Sequence, residues 1–172
     1  MLCLGLDAAT KTGFALIAHV PRETLLDHGV LDLHGAAASQ INVLVERVRK
    51  AVHLAGGTMA GLLVAIEEPY LDKNPKTLKV LARIVGRLEQ AFEAQGCGVE
   101  LVTASEWQGA VLAGFGGRRR DGLKKAALIW CRAHLGVPVE QDVADAAGLA
   151  VHMLRREAIA RAAQASHAEG RR

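Results

Sequence analysis

The feature that most constrains the fold is residues 62–66, LLVAI, an unbroken apolar run between a glycine-rich turn and two glutamates. A run of this length is typical of a strand that is buried on both faces. Such a strand needs a layer of helices on each side of its sheet. Apolar residues recur at helical spacing over residues 39–52 and 76–94, before and after this run. The chain is therefore predicted to be an α/β protein.

The remaining apolar runs add further strands and helices to this central strand. The predicted strands are 1–6, 13–20, 27–33, 62–66 and 99–102, and the predicted helices are 39–52, 76–94, 104–113, 123–135 and 143–163. Ser39 and Ser105 are predicted to be the N-caps of two of these helices. Three consecutive strands followed by alternating helices and strands indicate a mixed five-stranded sheet flanked by helices.

The size and composition of the chain indicate one domain. With 172 residues, 51% of them hydrophobic, the chain can bury a substantial core, and with 3% aromatic residues that core must be mainly aliphatic. We expect residues 1–163 to form a single domain and residues 164–172 to be a frayed tail. The formal charge of +3 permits nucleic acid as a partner without requiring it.

The cysteines and the apolar runs bear on the cellular compartment. Cys3, Cys97 and Cys131 lie far apart and form no CxxC or other zinc-binding spacing, so we expect three reduced core thiols in a cytoplasmic protein. No basic segment precedes an apolar stretch at the N-terminus, and no apolar run reaches about 18 residues, the length of a membrane span. We therefore expect neither a signal peptide nor a membrane span.

Four acidic residues occupy positions that the predicted fold would bring together. Asp7 ends the first predicted strand, Glu67 ends the fourth, and Asp142 and Asp145 begin the last helix. If the first and fourth strands are parallel neighbours, Asp7 and Glu67 lie side by side, while residues three apart share a helix face with Cβ atoms roughly 5–6 Å apart. Each acid also has a local interpretation. Asp7 would be a turn residue, Glu67 a solvated strand end, and Asp142 an N-cap with Asp145 in the first turn.

Convergence of four carboxylates would indicate a metal site. Unpaired carboxylates in a shared, partly buried location repel one another and lose hydration. Mg²⁺ prefers hard oxygen ligands, and two such ions about 3.5–4 Å apart form the usual site for cleaving phosphodiesters. The local interpretations do not explain why three separate segments would each bring an acid to one place.

Basic and aromatic residues suggest how nucleic acid would bind. The loop GFGGRRRDG at 114–122 places Arg118, Arg119 and Arg120 among glycines, with Lys124 just beyond. This arrangement suits a phosphate clamp, although a charge run is often a solvated surface. Tyr70, the only tyrosine, is either a half-buried loop residue or a ring on which a base stacks. Two further aromatic residues, Trp107 and Trp130, are predicted to lie in the core.

Three segments resemble the acidic motifs of RuvC-type Holliday junction resolvases, which have an RNase H-like fold. These segments are LGLDAATKTGFAL, VAIEEPYLDKN and DVADAAGLAVHML, and the resemblance spans about residues 1–155. It implies a sheet with strand order 3-2-1-4-5. The segment DAATKTGFA lacks the Pro-Gly that usually follows the first Asp, and Glu68-Pro69 replaces less charged residues. These departures suggest a divergent, phage-type member of the family.

The resemblance also assigns roles to individual residues. Asp7, Glu67, Asp142 and Asp145 match the catalytic acids that bind metal. Tyr70 matches the aromatic residue that wedges into the junction, and the other implied DNA-binding residues are Lys73, Asn74, Arg118, Arg119, Arg120 and Lys124. Gln108 stands where the family has a lysine, and Arg120 is the best match for a second lysine.

The function that the resemblance implies is that of a crossover-junction endodeoxyribonuclease. It would be a homodimer that resolves four-way DNA junctions in recombination and repair, using two Mg²⁺ ions or Mn²⁺ and no small-molecule cofactor. One alternative is an RNase H-like nuclease acting on other branched DNA or on RNA. Another is a DNA-binding or scaffolding protein without catalytic activity. An actin-like kinase would need a second domain, for which 172 residues leave no room.

Overall fold

The computed structural model describes residues 1–19, 21–34, 37–70, 74–116 and 119–169. Within these ranges the strands are β1 (Leu2–Asp7), β2 (Lys11–His19), β3 (Glu23–Asp32), β4 (Leu62–Glu67) and β5 (Gly98–Val102). The helices are α1 (Ala37–Leu54), α2 (Pro75–Glu93), α3 (Ala104–Val111), α4 (Arg120–Leu135) and α5 (Gln141–Glu169). A single 3-10 turn at Met59–Gly61 precedes β4.

The five strands form one mixed sheet in the order β3-β2-β1-β4-β5. β1 is antiparallel to β2 and parallel to β4, and β4 is parallel to β5. The predicted mixed sheet and its strand order are therefore confirmed. β1 and β4 are both interior strands, as the apolar run at 62–66 indicates.

Two apolar cores lie on opposite faces of this sheet, and side-chain alternation along the strands separates them. On β1, Leu4 and Leu6 belong to the core that includes α1 and α2. Cys3 of the same strand belongs to the core that includes α3, α4 and α5. On β4, Ala65 likewise faces the α5 side. This alternation decides which face receives the residue at the end of each strand.

Helix α5 packs unusually close to the sheet because its nearest strand positions are glycines. A Cβ atom at Gly5 would overlap the carbonyl oxygen of Ala146 and would lie 2.9 Å from the backbone nitrogen of Ala150. A Cβ atom at Gly13 would overlap the carbonyl oxygen of Asp142. Two neighbouring strands thus accept the helix backbone directly, and this contact fixes where the N-terminus of α5 lies.

Several element ends differ from the sequence predictions. Helix α1 begins at Ala37, so Ser39 lies inside it, and β3 is longer than predicted. The cap of α3 is Thr103 rather than Ser105. Thr103 Oγ1 accepts from the backbone N–H of Glu106, whose side chain accepts from the backbone N–H of Thr103. This reciprocal pair satisfies two otherwise unpaired backbone groups, which Ser105, two residues further along the chain, does not do.

The last helix is longer at both ends than predicted. It begins at Gln141, so Asp142 lies within the first turn and is not the N-cap. It runs to Glu169, so residues 164–169 of the expected frayed tail are helical, while residues 170–172 lie outside the described residues. Alanines, which have the highest helix propensity, favour this exposed extension, and an Arg161–Glu157 ion pair stabilises the turn that precedes it. The division into one domain and a tail stays a prediction.

The buried cysteines and tryptophans match expectation. Cys3, Cys97 and Cys131 are buried free thiols. Trp107 and Trp130 are fully buried. Among the described residues, no helix combines the length and apolar character needed to cross a membrane.

Candidate active site

Asp7 and Glu67 meet at the carboxyl ends of two parallel strands. β1 and β4 are in register, with Leu6 opposite Ile66, so the next residue of each strand is an acid at the same edge of the sheet. Leu6 and Ile66 both face the α1–α2 core. Alternation therefore turns the following residues, Asp7 and Glu67, toward α5.

Asp142 and Asp145 reach the same edge because of where α5 contacts the sheet. Gly13 is the β2 partner of Asp7, and it is also the residue against which the Asp142 backbone rests. Residues three apart share one helix face, so Asp145 follows Asp142 toward the cleft. Three elements that are distant in sequence thus bring four acids to one location.

These acids line a cleft with a volume of about 750 Å³. The cleft lies between the strand ends, the start of α2, α3, α4 and the start of α5. Its lining residues include Asp7, Glu67, Glu68, Pro69, Tyr70, Asn74, Leu78, Leu81, Gln108, Leu123, Lys124, Asp142 and Asp145. Among the described residues, this lining mixes acids, a lysine and apolar side chains, which suits a charged ligand with a partly apolar body.

Asp7 is the most strongly perturbed acid of the cleft. Burial raises its pKa, and the charges of Glu67, Asp145 and Asp142 raise it further, to about 8. The charge of Lys124 acts in the opposite direction. A carboxyl group in this position holds a proton near neutral pH unless a cation compensates the surrounding negative charge.

Glu67 and Asp145 each have a hydrogen-bond donor from a neighbouring side chain. Trp107 Nε1–H donates to Glu67 Oε2 at 3.0 Å, and Gln141 Nε2 donates to Asp145 Oδ1 at 2.9 Å. Burial raises the pKa of Glu67, and the Trp107 bond opposes that rise. Burial also raises the pKa of Asp145, to about 6, against the effect of the Gln141 bond.

The four acids of the cleft are ligands of the type that a hard divalent cation prefers. Its four carboxylates offer the oxygen ligands that Mg²⁺ and Mn²⁺ prefer, and their mutual repulsion is what a bound cation relieves. As their side chains stand, the described residues contain no group of three or more His, Cys, Asp or Glu that could hold a metal ion. In this arrangement Glu67 and Asp145 each direct one oxygen toward a neighbouring donor.

The predicted DNA-binding residues divide into three groups. Tyr70, Asn74 and Lys124 line the cleft, and Tyr70 is 82% exposed at its rim. Asn74 also caps α2, because its Oδ1 accepts from the backbone N–H of Lys76. Arg119 is exposed at the N-cap of α4 and does not line the cleft. The other residues cannot be placed: Lys73, Arg118 and the side chain of Arg120 lie outside the described residues.

Two residues that contact the acids are absent from the predicted site residues. Trp107 is buried as predicted, but its indole also reaches the site, and Gln141 supports Asp145 from the preceding turn. A buried tryptophan usually finds an acceptor for its N–H, which is a signal that a partner exists. The signal does not identify that partner, which here is 40 residues away.

Solved structures with the same fold come from bacterial, viral and mitochondrial resolvases. RuvC of Thermus thermophilus in complex with a Holliday junction substrate is 18% identical, with a TM-score of 0.65 over 88% of this chain and 91% of that one. The fowlpox virus Holliday junction resolvase is 11% identical, with a TM-score of 0.59 over 91% of this chain and 99% of that one.

The yeast mitochondrial resolvase Ydc2 is 15% identical, with a TM-score of 0.55 over 91% of this chain and 78% of that one. No protein-family model and no curated protein sequence matches the chain. The structural likeness shows that the chain has the RuvC-type resolvase fold, in agreement with the resemblance of its acidic motifs.

Proposed function

We propose that this protein is a divalent-metal-dependent endonuclease that resolves four-way DNA junctions. The observation that carries the proposal is the cleft to which Asp7, Glu67, Asp142 and Asp145 all contribute from three elements. The charges of the other three acids contribute to the raised pKa of Asp7, so the cleft favours a cation. Structural neighbours described as Holliday junction resolvases support branched DNA as the substrate class.

The four acids would hold the cations, and the chain's own groups would position them. A two-metal site supplies an activated water and stabilises the leaving oxygen of a phosphodiester. Asp7, the last residue of β1, interacts electrostatically with each of the other three acids and would be the central ligand. Lys124 contributes positive charge at the same cleft, where a DNA phosphate would approach.

DNA binding would combine phosphate contacts with base stacking. Lys124 in the cleft and the arginines 118–120 near the start of α4 would contact phosphates, which provide affinity without sequence information. Tyr70 stands at the rim with most of its ring exposed, in a position from which it could stack on an unpaired base. Asn74, which lines the same cleft, and Lys73 would add polar contacts with the DNA.

The symmetry of the substrate favours a homodimer. A four-way junction is resolved by two symmetrically related cuts, and two copies of the cleft would supply them.

We also propose that the protein acts in the cytoplasm. That compartment would hold its DNA substrate and would keep its three free cysteines reduced.

The proposal is tested by cleavage of a mobile four-way junction with Mg²⁺, compared with the same reaction containing chelator. Paired nicks that leave 5′-phosphates are expected only with the cation, and Asp7→Asn should bind the junction without cutting it. A fully active Asp7→Asn variant would refute the assignment. Flap, duplex and RNA substrates in parallel separate a junction resolvase from a nuclease of other specificity, and binding without cleavage of any of them indicates a non-catalytic protein.

A further inference from the structure

Trp107 is held in one orientation by its surroundings. It lies in α3, whose start is fixed by the capping pair of Thr103 and Glu106, and its side chain is fully buried. The six-membered part of the indole lies against α5 at Gly148. A Cβ atom there would be 2.5 Å from Trp107 Cζ3 and 2.6 Å from Cε3. The ring therefore occupies a notch in α5 that any residue larger than glycine at position 148 would fill.

The fixed ring directs its one polar atom at an acid of the cleft. Trp107 Nε1–H donates to Glu67 Oε2 at 3.0 Å and links α3 to the end of β4. A buried N–H without an acceptor is destabilising, so this bond favours one position of the Glu67 carboxylate. Glu67 also lines the cleft, so the carboxylate that Trp107 holds is one that a ligand in the cleft can contact.

We propose that Trp107 is a positioning residue that holds Glu67 in place for a divalent cation. The inference rests on the proposed function and extends it to a residue outside the cleft lining. We assign this role to Trp107 and not to Gln141 because the two donors differ in mobility. Gln141 is a flexible, partly exposed side chain one turn from Asp145 on the same helix, whereas the Trp107 ring cannot turn without leaving its notch. A rigid donor behind a metal ligand restricts the ligand's side chain before the metal binds. The side chain then loses less conformational freedom on binding.

The intact protein offers a direct readout because it contains two tryptophans. Trp130 is equally buried, but it stacks on His134 in α4 and does not line the cleft. In a ¹⁵N-correlated NMR titration with Mg²⁺ alone, the indole N–H signal of Trp107 should shift and that of Trp130 should stay. Trp130→Phe assigns the two signals. Two unmoved indole signals during saturable Mg²⁺ binding would overturn the proposal.

Trp107→Phe keeps an aromatic ring and removes the donor, and Trp130→Phe is its matched control. Removal of such an outer partner typically weakens metal binding about 10–100-fold. We therefore expect calorimetry with Mn²⁺ to show at least a tenfold weaker affinity for Trp107→Phe and near-normal affinity for Trp130→Phe. Equal affinities of the two folded variants would contradict the proposal.

A double variant separates positioning from general loss of packing. In a Glu67→Gln background the carboxylate ligand is gone, so adding Trp107→Phe should cause little further loss of Mn²⁺ affinity. An additive loss would mean that Trp107 acts through packing alone. If the wild type cleaves junctions but Trp107→Phe binds Mn²⁺ normally, the positioning role of Trp107 is refuted and the proposed function is not. If the wild type neither binds the cation nor cleaves, the proposed function itself is refuted.

Discussion

The backbone of Asp142 rests against Gly13, the residue that pairs with Asp7 across β1 and β2. The carbonyl oxygen of Asp142 occupies the space that a Cβ atom at position 13 would need, and the Asp142 Cβ would lie 2.9 Å from that atom. Gly13 carries only a hydrogen where other residues carry a Cβ atom, so the Asp142 backbone can approach β2. This contact sets the distance between two candidate metal ligands, Asp7 and Asp142. The geometry of the acidic cleft therefore depends on a residue that has no side chain of its own.

Gly13→Ala should displace the start of α5 and impair the site. The added methyl meets backbone, which cannot move aside as a flexible side chain could. We expect a loss of roughly 1–3 kcal/mol in the free energy of unfolding, as for other overpacked positions. Displacement by about 1 Å can also lower a catalytic rate on the order of 100-fold. Urea unfolding and junction cleavage measure the two effects.

The matched control is Gly86→Ala in α2. A Cβ atom at Gly86 has nothing within 4 Å, and the position is exposed in a helix interior. Alanine there should stabilise the protein by about 0.5–1 kcal/mol and leave cleavage unchanged. Normal cleavage by a folded Gly13→Ala variant would show that the position of α5 is not critical to the site.

Asp7→Asn should stabilise the protein in the absence of divalent cations. The folded-state pKa of Asp7, about 8, lies above its value of 3.8 in the absence of interactions. The unfolded chain therefore loses this proton first, so the acid's contribution to stability is full below pH 3.8 and is lost as the pH rises toward 8. Over that window the free energy of unfolding changes by up to about 1.4 kcal/mol per pH unit for one group.

The difference in melting temperature between Asp7→Asn and the wild type should therefore be small at pH 4 and should grow toward pH 8. Saturating Mg²⁺ should stabilise the wild type and not the variant, because ligand binding to the folded state alone raises its stability. Glu93→Gln, on the exposed end of α2, is a control with the same change of charge. A wild type that is more stable than Asp7→Asn at pH 8 without cation would contradict the prediction.

The elements of the fold and the positions of the four acids within them could be predicted from short-range periodicity, whereas the strand order was implied only by the resemblance of the acidic motifs. The run at 62–66 indicates an interior strand, and alternation along β1 and β4 sends Asp7 and Glu67 to the same face. Helix ends were less predictable, since Thr103 and Ser105 are both good caps and the reciprocal bond to Glu106 decides between them.

The supporting contacts of the site could not be predicted in this way. Trp107 reaches Glu67 only because α3 packs against α5 at Gly148, a contact between segments about 40 residues apart. The Gly13–Asp142 contact joins segments still further apart. Neither pairing leaves a local pattern, so the sequence indicates the candidate ligands but not the contacts that hold them.

Lys124→Gln should weaken junction binding in a salt-dependent manner. Lys124 lines the cleft beside the acids, where a phosphate would enter. Loss of one phosphate contact should reduce the slope of log affinity against log salt concentration by about 1. Fluorescence anisotropy with a labelled junction between 50 and 200 mM NaCl gives this slope in the presence of Ca²⁺, which suppresses cleavage in many Mg²⁺ nucleases by its looser coordination.

Lys50→Gln is the corresponding control, since Lys50 lies on α1 and lines a different groove. Its salt slope should equal that of the wild type. Arg119→Gln then tests whether the start of α4 extends the phosphate-binding surface beyond the cleft. An unchanged slope for Lys124→Gln would place the DNA path elsewhere.

Tyr70→Ala should impair junction cleavage without affecting cation binding or stability. The ring is 82% exposed, so its removal leaves no cavity and the melting temperature should stay within about 1 °C of the wild type, as for surface changes generally. Stacking on one base contributes about 1–3 kcal/mol, which corresponds to a loss of roughly 5–150-fold in kcat/KM if the stack forms in the transition state.

Tyr70→Phe, the control, keeps the stacking surface and should cleave the junction at a near-normal rate. The fluorescence of a 2-aminopurine at the crossover should change on binding to the wild type and Tyr70→Phe, but not on binding to Tyr70→Ala. Equal cleavage by all three proteins would reduce Tyr70 to an exposed loop residue, and would leave phosphate contacts as the basis of junction binding.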